Sequence, residues 1–126
     1  MDTLVGLFPP TMGYDFEKLN QGIYESGPEK TAHAGMALGA LRNVRGVLTR
    51  LHEALTKRGH ELDPYSGIGY LYEEVRYPIE KLEAFLETKH ANGIVPIDEE
   101  AASIFAFFIR AKLEELREIA GEIDAE

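Results

Sequence analysis

Not one cysteine occurs in the 126 residues. Disulfides, zinc–thiolate centres and thiol catalysis are thereby excluded, and the composition suits a reducing, cytoplasmic setting. Amides are nearly as scarce. Asn20, Asn43, Asn92 and Gln21 are the whole set, which leaves few thermolabile side chains. No apolar run approaches bilayer-spanning length, so no membrane partner is expected. The first residues carry Asp2, no basic region, and Pro9-Pro10 interrupting their apolar run, unlike a signal peptide.

What is present is an ordinary globular mixture, 44% hydrophobic and 28% charged, of a length that fits one domain. The charge is acidic overall, net −9, but unevenly spread. Residues 27–60 hold six bases against Glu29 and Glu53, a local excess of +4. Residues 98–126 hold nine acids against Arg110, Lys112 and Arg117, a local excess of −6. Attraction between these two segments, within one chain or across a dimer, is the expectation. Duplex nucleic acid is disfavoured by the acidic surface. Only a basic face made of Arg42, Arg45, Arg50 and Lys57 offers phosphate a contact.

Hydrophobic periodicity predicts an all-α, up-down bundle of about four helices with an extended N-terminal arm. Residues 1–12 form that arm, with Leu4, Val5, Leu7 and Phe8 ahead of Pro9-Pro10; residues 13–126 form the single helical domain. The arm is expected as a strap on the bundle, or alternatively as a segment donated to a neighbouring subunit. A first helix spans about Gly13 to Glu25. A second spans Ser26 to Gly59, opened by a capping box of Ser26 and Glu29 around Pro28. A third begins between Asp63 and Ile68 and runs to about His90, with Pro78 expected to kink or divide it near Tyr77. Asn92-Gly93 ends it. Asp98 caps the fourth, whose inward row is read as Ala101, Ile104, Phe105, Phe108, Ile109, Leu116, Ile119 and Ile123. Residues Ile104 to Ile109 are apolar on nearly all sides and are expected to be buried by more than one neighbour.

The second helix has two unlike faces. Leu41, Val44, Leu48, Leu51 and Leu55 make one; Gly35, Gly39 and Gly46 lie on the other beside Arg42, Arg50, Glu53 and Lys57. Interior helix glycines cost about 1 kcal/mol each against alanine. Their presence suggests close approach of another backbone, from inside the chain or from a partner. On the third helix, Tyr70 and Tyr77 stand one heptad apart beside Glu73 and Glu80, a composition of interface anchors unless the first helix or the arm covers them.

Candidates for chemistry are thinner. Antiparallel packing brings Glu29 and His33 near Glu87 and His90, a donor set that suits zinc, iron or manganese. A di-iron bundle needs two Glu-x-x-His pairs; here Glu87–His90 is the one such pair, at a helix end. His52-Glu53 and His60-Glu61 start a zinc-protease motif that no later histidine completes. Arg45 and His52 have a spacing found in helical nucleases. Glu80-Lys81-Leu82-Glu83 resembles half of the carboxylate set of all-helical nucleotide pyrophosphohydrolases, but residues 101–113 supply no second acidic pair. Gly67-Ile68-Gly69 is too short for a phosphate loop, and Ser26, Ser66 and Ser103 fit caps or helix interior rather than a nucleophile.

Gly69-Tyr70-Leu71-Tyr72-Glu73-Glu74-Val75 resembles the Gly-x-Leu/Met-Tyr stretch in the third long helix of flagellin export chaperones. The likeness covers under a tenth of the chain and does not extend to the first helix, so no family is assigned from it. The expected function is a non-enzymatic interaction, adaptor or chaperone-like subunit that binds a protein partner or itself by helix packing, without a cofactor. The alternatives are a metal-dependent enzyme using His33, His90, Glu29 and Glu87, and weak nucleic-acid contact through the basic face.

Overall fold

The structure, a computed structural model, describes residues 3–60, 62–63, 65 and 67–126. The expected Ser66 cap and the glutamate of His60-Glu61 lie outside the described residues.

Among the described residues, four helices follow one 3-10 turn at Val5–Leu7: α1 Met12–Tyr24, α2 Lys30–Lys57, α3 Gly67–His90 and α4 Glu99–Asp124. Each packs on the next, and α4 returns to pack on α1. The contacts at the helix ends give the directions. Lys89, ending α3, donates its ammonium to the carbonyl of Ile23, ending α1, at 2.7 Å. His90 meets Thr31 at the start of α2, and Arg58 after α2 meets Asp124 ending α4. The helices therefore alternate up and down, with α2 and α4 on the diagonal.

The core is a single cluster that every helix enters. Leu19 and Ile23 come from α1, Leu41, Val44, Leu51 and Leu55 from α2, Leu82 and Leu86 from α3, and Ile109 and Leu116 from α4. Helices α1 and α2 approach closely at Gly22. A methyl group there would run into the Ala37 side chain and stand 3.0 Å from the His33 carbonyl oxygen. The glycine that permits close packing is thus on α1, away from the glycine face of α2.

Helix ends follow local chemistry. Gly59 takes a left-handed φ of 83°, letting His60 N–H reach Leu55 O and Gly59 N–H reach Thr56 O, both at 3.0 Å. This double bond pattern satisfies carbonyls that α2 leaves open. Asn92, at φ 60°, ends α3 in the same way through Gly93 N–H to Thr88 O at 2.9 Å. Asp98 caps α4 by accepting the Ala101 N–H at 2.8 Å.

The start of α2 departs from expectation. No side-chain cap is made there, and helix begins at Lys30. Gly27-Pro28 occupies the turn instead, and the Glu25 carboxylate accepts the Gly27 N–H at 3.0 Å. Pro28 thus spends its fixed φ on the turn before the helix. Pro78 does not divide α3, which is continuous across it; the ring removes the one N–H that would have served Glu74 O.

The N-terminal segment is a coiled strap rather than an extended arm. The 3-10 turn folds it so that Leu4 and Phe8 enter the core. Leu4 and Val5 N–H groups donate to the two carboxylate oxygens of Asp124 at 2.9 and 3.0 Å. Those two bonds, together with Arg58 at 3.3 Å, hold the Asp124 carboxyl below its ordinary range. The strap sits on its own bundle.

Candidate interaction surface

Helix α4 has its side chains distributed against size. Its buried row is Ala102, Ala106, Ile109, Leu113, Leu116 and Ala120, while Ile104 is 61% and Phe107 75% exposed. At 3.6 residues per turn Ile104 lies opposite that buried row. Phe107, Phe108 and Ala111 share its side of the helix. The expectation that residues 104–109 are buried by several neighbours is therefore wrong. Among the described helices, α1 and α3 flank α4, with the 3-10 turn against it as well, and small side chains at positions 102 and 106 line the face toward the bundle.

The flank toward α3 extends this apolar strip. Phe105 takes the edge of the Tyr77 ring, centroids 6.0 Å apart, and the Lys81 ammonium lies 5.3 Å from the Tyr77 centroid. Tyr77 remains 58% exposed. One heptad earlier Tyr70, also about half exposed, hydrogen-bonds the Glu74 carboxylate. Glu74 in turn pairs with Lys112 at 2.9 Å, and Lys112 covers the Phe108 ring at 5.3 Å. The shared bond and negative charge raise the Tyr70 pKa; bonds from Tyr70 and Lys112 lower that of Glu74. A polar chain thus ties α3 to α4 on the flank that carries Tyr70 and Tyr77, while Phe107 stands toward α1, lining a cleft with Phe16 and Asn20. Ile104 and Phe107 were missing from the expected site, although the notable breadth of apolar residues on this helix was the signal for them.

The glycine face of α2 divides three ways. Gly35 holds the His90 ring, whose Cε1 would lie 2.8 Å from an added methyl. An added methyl on Gly46 would stand 3.2 Å from the Arg50 guanidinium. Gly39 has nothing within 4 Å of a built Cβ.

The histidine–carboxylate end does not assemble into a metal centre: among the described residues no group of three or more such donors is placed to hold an ion. His33 Nε2 stands 3.6 Å from Glu29, and its Nδ1 is shielded from water without a partner. His90 Nδ1 is 2.8 Å from the Thr31 carbonyl oxygen, which can only accept, so that nitrogen carries the proton. Glu87 is on the exposed side of α3.

The basic face is partly committed. Arg45 pairs with Glu83 of α3 at 3.2 Å. His52 packs its ring on the edge of Tyr72 at 5.7 Å, and the Tyr72 hydroxyl donates to Leu48 O at 3.1 Å. Burial raises the pKa of that hydroxyl. Among the described residues the basic and acidic segments meet through Arg58–Asp124, while Arg45 and Lys112 pair instead with Glu83 and Glu74 of α3.

No helix among the described residues is long and apolar enough to cross a membrane. Comparison with protein-family models, curated proteins and solved structures gives no match.

Proposed function

We propose that this chain is a non-enzymatic helical interaction subunit that receives a helix, from a partner protein or a second copy, on the outer face of α4 and its α3 flank. The observation that carries this reading is the inversion on α4: alanines occupy the core row while Ile104 and Phe107 face outward. Large exposed apolar groups gathered on one face mark association sites more often than scattered ones do. Tyr70 and Tyr77 supply amphipathic anchors at its edge.

The test places a photo-crosslinking phenylalanine analogue at position 107 in the protein's own cells. A single adduct is expected, either twice the mass of this chain or this chain plus one other protein, and it weakens when Tyr77→Ala and Ile104→Ser are added. A correctly folded variant that yields no defined adduct overturns the reading.

A further inference from the structure

A cleft of about 410 Å³ opens between the N-terminal strap, the start of α1 and the second half of α4. That volume lies within the range of small-molecule sites. Its walls include Phe8, Phe16 and Leu113, all core residues that show part of their surface to the cleft. Two guanidiniums line it, Arg110 and Arg117, seven residues apart and so on one side of α4. Arg110 lies 5.6 Å from the Phe16 ring centroid and pairs loosely with Glu114 at 3.7 Å. Arg117 forms no ion pair among the described residues. Two arginines against one glutamate leave the lining net positive, in a chain whose net charge is −9. A cleft with aromatic and aliphatic walls on one part and an unengaged guanidinium on another is complementary to a molecule with an apolar body and an anionic head.

We infer that this cleft binds a small amphiphilic carboxylate, its apolar part against Phe8, Phe16 and Leu113 and its head group on Arg117 with Arg110 alongside. A cationic ligand is opposed by the arginines, and a wholly polar anion gains nothing from the aromatic walls. Arg117 has no internal partner to surrender, so capturing the head group breaks no existing ion pair.

The experiment is calorimetric titration of the pure protein with octanoate and, separately, with octanol at neutral pH and low salt. Octanoate is expected to bind one to one and octanol about tenfold more weakly or worse. Arg117→Ala is expected to bring octanoate down to the affinity of octanol while leaving octanol unchanged. Gly13→Leu adds bulk to the lining where a built Cβ meets nothing within 4 Å, so it is expected to fold normally and to bind neither probe. Circular dichroism confirms that each variant is helical. Absence of octanoate binding, equal binding of octanol, or octanoate affinity unmoved by Arg117→Ala would each overturn the proposal.

Discussion

Glycine 22 and glycine 39 both sit inside helices, yet they predict opposite responses to the same substitution. Gly39→Ala adds a methyl that touches nothing and removes the backbone-entropy cost of glycine, so it is expected to stabilise by about 0.5–1 kcal/mol. Gly22→Ala gains the same propensity but drives its methyl into Ala37 and the His33 carbonyl. A net loss is expected, on the order of 1–3 kcal/mol from overpacking. Urea denaturation of the two variants beside the parent reads the difference, and equal midpoints would show that α1 and α2 are not packed as closely as described. Sequence could rank both glycines as unusual in helices. It could not say which one faced a neighbour, because that depends on where α1 crosses α2. The Asp98 cap was legible for the opposite reason, since its chemistry is confined to four consecutive residues. Asp98→Ala is expected to cost about 1 kcal/mol by loss of the bond to Ala101, again measured by denaturation.

At the scale of the element, α4 and the strap account for most of what the periodicity missed. A helix apolar on two sides fits a core from either side, and size alone favours burying isoleucine and phenylalanine. The fold instead turned Ala102 and Ala106 inward, so the row is centred on a neighbouring stripe that keeps Ile109 and Leu116 buried, with Phe105, Ile119 and Ile123 packed at its edge and Ile104 left outside. The contrast is measurable. Ile109→Ala is expected to destabilise by about 2–5 kcal/mol as a cavity-forming substitution, whereas Ile104→Ala is expected to change stability by no more than about 0.5 kcal/mol. Comparable losses would mean that Ile104 is buried.

The strap carries the pH dependence. Asp124 has its pKa lowered from 3.8 by the Leu4 and Val5 N–H groups, then by Arg58. Its charged form is therefore favoured in the folded state, giving a contribution present above pH 3.8 and lost as pH falls through the lower folded value. Asp124→Asn is expected to speed amide exchange at Leu4 and Val5 at neutral pH. The gap between variant and parent should narrow below pH 3.8, and a gap independent of pH would remove the carboxylate from this role. No local pattern announced this pairing, because its partners lie 120 residues apart.

For the molecule as a whole, the alternation of four helices was legible because each loop carries its own turn or cap signal and each helix its own periodicity. Which helices share faces was not, and the diagonal placement of α2 and α4 follows only from closure of α4 onto α1. That placement keeps the basic and acidic segments mostly apart and leaves the outer face of α4 on the side away from α2. Phe107→Asp is accordingly expected to abolish association in crosslinking and sedimentation while leaving the melting temperature nearly unchanged. A large drop in melting temperature would assign Phe107 to the fold instead.

The tie between Leu4 and Asp124 also sets an order of events during synthesis. Leu4 leaves the ribosome well before its backbone anchor, which is translated 120 residues later. Throughout that interval Leu4 and Phe8 travel without the carboxylate that fixes them, while helices on the growing chain can pair with their neighbours. Docking of the strap is therefore a closing step of folding, and a chain stalled before α4 ends presents those two side chains to whatever protein surveys nascent polypeptides.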